Sequence, residues 1–253
     1  MVKRYIVFLA CLYASLVSFS CGTDSAVRKN KAETSKRLGE GYLAERNIAS
    51  ALAEFLKAEK LYNKDPFLYY DLGLAYFAKG EFELAISHFK KAVALKSDYS
   101  EAFNAMGSVY LRLEQWDNAI SCFNRAHANL LYATPHFALS NLGEAYRGKK
   151  DYPGAINFYR KAIEASPRFP TAYRGLGLAY MAVGNYTAAA SCLEKAVRYA
   201  PRFAVAYYDL GHAYAGQYDI KKAVSSFQKV AELAPDSPLA ETALAEIKKL
   251  TAK

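Results

Sequence analysis

Histidine, cysteine and the carboxylates are the side chains of this sequence that could do covalent, metal or acid–base chemistry, so their spacing is decisive. The four histidines, His88, His127, His136 and His212, fall in different segments with no pairing at ligand or triad distance. The four cysteines, Cys11, Cys21, Cys122 and Cys192, form no Cys/His cluster with zinc spacing. Glu144 and Asp209 are isolated in sequence and read as specificity contacts, not as an acid–base pair. No glycine-rich phosphate loop is present; the glycines occupy turn and packing positions. This pattern points away from an enzyme and requires no cofactor, metal or small-molecule substrate.

Cys21 is the one residue with a covalent chemistry written around it. Lys3 and Arg4 precede an apolar run from Tyr5 to Val17, and small residues then lead to Cys21. Residues 1–20 thus have the layout of a bacterial secretory signal. The run falls short of the ~20 residues that span a bilayer. Cys21 looks like a lipoprotein processing site, where it would become the acylated first residue. Ser18 stands where such signals usually carry leucine, with Leu16 displaced, and Ser18 and Ser20 also suit ordinary signal peptidase. Simple secretion and a retained anchor therefore stay open beside lipidation. Cys11 is preceded by too short an apolar segment, and Gly22 fits transfer to the outer membrane. Residues 21–32 are polar and read as a flexible tether.

Removing Lys3 and Arg4 with the leader lowers the net charge from +9 to +7. The excess is spread along the chain, as a solvated basic surface or as an attraction to anionic lipid or an acidic partner. The 21 tyrosines fall mostly at repeating positions, so they are no nucleic-acid stacking set.

The elements that must position these residues recur. Glycine falls at Gly39, Gly73, Gly107, Gly143, Gly177 and Gly211, in steps of 34, 34, 36, 34 and 34. Tyr42, Tyr76, Tyr110, Tyr146, Tyr180 and Tyr214 follow three residues later. Ala51, Ala85, Ala119, Ala155, Ala189 and Ala223 come twelve after each glycine, and Phe55, Phe89, Phe123, Tyr159, Leu193 and Phe227 four further on. The small residues let helices approach, and the bulky ones are expected to fill the space between one helix pair and the next. Pro167, Pro201 and Pro235 stop second helices. Cys122 and Cys192 hold equivalent sites two repeats apart, too distant for a disulfide.

This period resembles the tetratricopeptide repeat. The resemblance implies an all-α fold: a superhelix (α-solenoid) of six helix-turn-helix repeats over 33–236, with a concave inner wall. A capping helix over 237–253 follows, with Leu239, Ala243, Leu244, Ile247 and Leu250 at helical spacing. The period slips by two in Ala128 to Asn141. That lengthened junction, with Leu131, Tyr132, Pro135, Asn141 and Gly143, resembles the type IV pilus biogenesis and stability (pilotin-type) lipoproteins. This resemblance implies a periplasm-facing outer-membrane lipoprotein that binds a secretin subunit, promotes its multimerisation and supports type IV pili. A general tetratricopeptide adaptor for other cell-envelope complexes is the alternative.

The repeat frame also proposes a groove on the first helices. Its residues are Tyr70, Asp71, Leu74 and Phe77, then Asn104, Ser108 and Leu111, then Asn141, Glu144 and Arg147, then Arg174, Leu178 and Met181, and finally Tyr208, Asp209 and His212. This mixture suits an extended peptide or a helix from a protein partner. Asn104 and Asn141 lack the lysines of the chaperone-type carboxylate clamp.

Overall fold

A computed structural model describes residues 25–252. Among them are thirteen helices and no strand. They are α1 (residues 25–44), α2 (Ile48–Leu61), α3 (Pro66–Lys79), α4 (Phe82–Leu95), α5 (Ser100–Arg112), α6 (Trp116–His127), α7 (Pro135–Gly148), α8 (Tyr152–Ala165), α9 (Pro170–Ala182), α10 (Tyr186–Tyr199), α11 (Ala204–Gly216), α12 (Ile220–Leu233) and α13 (Pro238–Thr251). The chain divides after Ala102, within α5, into two compact units. The signal peptide, Cys21 and the start of the tether lie outside the described residues.

Each repeat closes its first helix by the same backbone device. Arg46, Gly80, Glu114, Lys150, Gly184 and Tyr218 all take a left-handed conformation, with φ between 56° and 85°. The next residue then donates its N–H to the carbonyl of the periodic tyrosine five positions back: Asn47 to Tyr42, Glu81 to Tyr76, Gln115 to Tyr110, Asp151 to Tyr146, Asn185 to Tyr180 and Asp219 to Tyr214, at 2.8–3.0 Å. This is the paired-bond helix terminus that a left-handed residue makes possible. The donor then starts the second helix. The side chains of Asn47, Asp151, Asn185 and Asp219 each accept from the N–H three residues on. Only two of the six left-handed residues are glycine. Lys150→Gly should therefore raise stability by about 0.5–1 kcal/mol, and Gly184→Ala should lower it by a similar amount. Thermal denaturation followed by circular dichroism reads both.

Within a repeat the two helices close on the glycine. A Cβ added at Gly73 would lie 2.4 Å from Phe89 Cε1, and one at Gly211 2.6 Å from Phe227 Cε1. Phe55, Phe89, Phe123 and Phe227 are fully buried. The bulky residues therefore fill the seam inside their own helix pair as well as the space to the next, where Phe55 joins Leu68 and Leu72 and Phe123 joins Leu139 and Leu142. Tyr159 does both, because it also lies against Gly175 of the next pair.

In the first unit the core gathers Phe55, Leu68, Tyr69 and Leu72. Ala32 of α1 belongs to it, so residues 25–32 continue the first helix where a tether was expected. Alanine and the long straight side chains of that segment favour helix, and the buried Ala32 pins its end. In the second unit, core clusters surround Phe123 and Leu142, Tyr159 and Leu176, and Leu193 and Phe227. Helix α13 starts at Ser237, whose hydroxyl caps Ala240 N–H at 3.1 Å. Its Leu239, Ala243, Ile247 and Leu250 cover the last cluster, whereas Leu244 falls off that seam and is exposed. The two extra residues of the lengthened junction sit in the link 128–134 between α6 and α7.

Candidate functional site

A helix repeats every 3.6 residues, so the positions two and three before, one after and four after each glycine share one face of the first helix. In the second unit this face carries a continuous polar strip. Asn141 donates its side-chain N–H to Asn104 Oδ1 at 3.1 Å. Glu144 accepts from Arg147 Nε at 3.1 Å, from a second guanidinium nitrogen, and from the Tyr159 hydroxyl at 2.9 Å. Arg174 Nε donates to Asp209 Oδ2 at 2.5 Å. Asn141, Glu144, Arg147, Tyr159, Arg174 and Leu178 line a cavity of about 250 Å³.

The charges of the strip are matched, and burial sets their balance. Burial pushes the Glu144 carboxyl up, but Arg147, Tyr159 and Arg174 together outweigh it and hold its pKa below the usual value. Asp209 is 8% exposed, and there burial wins: its pKa is raised although Arg174 draws it down. Removing Arg174 strands that carboxylate in a buried place, which costs about 3 kcal/mol. Arg174→Ala should lose that much stability at pH 8 and less at acid pH, because burial already raises the Asp209 pKa and removing the guanidinium raises it further. Urea unfolding at the two pH values checks it.

The remaining strip residues divide between lining and packing. Leu111 and Met181 pack partly into core clusters, and Ser108 donates to the Asn104 carbonyl at 3.0 Å. Tyr208, His212 and Phe227 form a ring cluster with centroids 4.7–5.6 Å apart.

The corresponding face of the first unit is less open than its apolar sequence suggests. Tyr70 packs 5.2 Å from the Tyr99 ring and 5.9 Å from Phe89, and Phe77 lies 5.9 Å from Phe82. Leu74 is half-buried. Asp71 faces Glu40 of α1, a residue the groove expectation omitted. Burial, then the Glu40 charge, pushes Asp71 up to about 7, while Lys36 pulls it down. Lys36 itself bridges Asp65 at 3.1 Å and Glu33 at 3.2 Å. The pairs Lys36–Asp65 and Arg174–Asp209 escaped the sequence reading because their members lie 29 and 35 residues apart. Aligning neighbouring repeats on their glycines places Arg174 and Asp209 side by side.

His88, His136, His212, Cys122 and Cys192 are packing residues. His88 is sandwiched by Tyr69 and Tyr76 at 6.0 and 5.1 Å, and burial, then Lys91, lowers its pKa. Cys122 is buried, Cys192 is half-buried, and neither is disulfide-bonded. Among the described residues no group of three or more His, Cys, Asp or Glu could hold a metal ion.

Helix pairs closed on a glycine and an inner face of paired polar groups define a helical-repeat binding protein. Models of the tetratricopeptide repeat match residues 73–114, 98–168, 146–196 and 174–238, and the chain belongs to that family. Its members mediate protein–protein contacts and are generally non-catalytic scaffolds. No curated protein sequence matches the chain. Among solved structures it is similar to PilF of Pseudomonas aeruginosa, with a TM-score of 0.73 at 19% identity over 87% of this chain and 99% of that one. It is also similar to PilW, a widely conserved type IV pilus biogenesis factor, with a TM-score of 0.77 at 20% identity over 84% of this chain and 98% of that one. MamA is 28% identical over 66% of this chain and 91% of its own length, with a TM-score of 0.56.

Proposed function

We propose that this chain is a non-catalytic assembly factor for type IV pili. In this reading its first-helix faces grip a segment of the secretin and promote its localisation and multimerisation. The observation that carries the reading is the coverage against PilF and PilW, 99% and 98% of those chains and 87% and 84% of this one. Acylation at Cys21 would hold the chain at the periplasmic face of the outer membrane, and the leader layout of residues 1–20 supports that placement. The polar strip suits the proposed partner, because paired Asn, Arg and Glu groups can exchange partners with a peptide backbone without leaving a buried charge alone.

The test is a deletion strain complemented with Leu74→Asp. Leu74 is half-buried on the proposed face, so the charge should abolish secretin multimers while the helical fold persists. Normal multimers and surface pili in the deletion strain, with the chain co-purifying with a different envelope complex, would favour the general adaptor.

A further inference from the structure

Every second link of the second unit, from a second helix to the next first helix, leaves from the same end of its helix pair, because successive helices alternate in direction. Three of these links form a continuous edge. His136 and Phe137 at the start of α7 meet Phe169 of the link 166–169 at 5.0 and 5.3 Å. Pro170 and Thr171 share a surface hollow with Pro201, Arg202 and Phe203 of the next link. At one end of this edge the lengthened junction holds out two leucines, Leu130 at 99% exposure and Leu131 at 88%. They are held there by a built turn: Asn129 Oδ1 accepts from Leu131 N–H at 3.0 Å, the Asn129 carbonyl accepts from Tyr132 N–H at 3.0 Å, and Tyr132 is buried. Phe137 adds a further half-exposed ring. Arg168 and Arg202 stand exposed in the neighbouring links. Links 128–134, 166–169 and 200–203 contain no acidic residue; the first one comes in the next link, at Asp236.

We propose that this edge docks on an anionic lipid surface, with Leu130 and Leu131 entering the interfacial layer and Arg168 and Arg202 meeting lipid phosphates. A protruding pair of leucines fits a fluid that closes around it, whereas a folded partner would have to offer a preformed pocket for a convex tip. Apolar insertion flanked by cations is the combination that binds a protein reversibly to acidic membranes. Thr171 lines both this hollow and the cavity of the polar strip, but Leu130, Leu131, Arg168 and Arg202 line no part of that cavity, so the lipid contact uses different side chains from the strip.

The experiment uses the full chain carrying Leu131→Trp, mixed with phosphatidylcholine vesicles with and without phosphatidylglycerol, their acyl chains brominated. Trp116 is the single native tryptophan, and the unsubstituted chain supplies its background. The added indole should shift to the blue and be quenched by bromine in the anionic vesicles, and Arg168→Gln or Arg202→Gln should each lower the partition about fivefold. An indole that stays in water while the chain sediments through its leader overturns the proposal. So does a chain that remains in the supernatant, or an indole that shifts only when a protein partner is added. Leu74→Asp should leave the quenching unchanged, which separates failure of this contact from failure of the secretin reading.

Discussion

Gly73→Ala should lower the stability of the chain by about 2–3 kcal/mol, the upper part of the usual range for forcing an extra methyl into a closed core. The new Cβ would lie 2.4 Å from Phe89 Cε1, 2.6 Å from Cδ1 and 2.8 Å from Cζ. Phe89 cannot swing away, because it is fully buried and packs 5.9 Å from the Tyr70 ring. The two helices must part instead, and the burial along their seam is lost with the contact. Phe89→Leu alone should also destabilise, by leaving a void. The double variant Gly73→Ala/Phe89→Leu should be more stable than the sum of the single losses predicts, because the smaller side chain accepts the methyl. At Gly177, which faces Leu193, an added Cβ would meet one atom at 2.7 Å and the next two at 3.2 Å, a looser fit than at Gly73. Chemical denaturation of all four chains measures the coupling, and strict additivity would refute the seam argument.

The second large effect is a dependence on pH set in the first unit. Asp71 titrates at about 7, against an ordinary value of 3.8, because it is buried and faces Glu40 and Asp65, with Lys36 the single opposing cation. A folded-state pKa above the unfolded one means that the folded chain binds the proton more tightly. The resulting stability is full below the unfolded pKa and is lost as pH rises through the folded one. Between pH 5 and pH 8 the chain should therefore lose on the order of 2 kcal/mol. Below pH 4.5 the trend reverses, since Glu33 and Glu144 have lowered pKa values and give up their ion pairs on protonation. Asp71→Asn should flatten the profile above pH 5 and be the more stable chain at pH 8. Urea midpoints at four pH values read this directly, and a variant that keeps the wild-type slope would assign it to another group.

Steric constraints were the readable part of the sequence. A glycine that faces a phenylalanine sixteen residues later cannot vary without cost, so the pair repeats and the fold follows from it. The turn positions repeat in place but not in type: Arg46, Glu114, Lys150 and Tyr218 adopt the conformation that Gly80 and Gly184 adopt. Here the two backbone hydrogen bonds, not the side chain, impose the shape. The polar face was half legible. Its positions came from the period, but the pairing of Arg174 with Asp209 depends on how adjacent repeats lie side by side. Leu130 and Leu131 invert the ordinary expectation of hydropathy, because the link that carries them has no second layer to cover it.

The turn inside each repeat has a consequence for how the chain tolerates length change. One residue there, such as Asn47 or Asp219, terminates one helix through its N–H and begins the next through its side chain. An added amino acid would break both functions at once. The opposite end is governed differently, and the natural two-residue lengthening before α7 shows it. Epitope tags, fluorescent inserts and new chain termini should therefore be accommodated at the exposed tip beside Leu130, clear of the buried Tyr132, and rejected at the hairpins of Asn47, Asp151, Asn185 and Asp219.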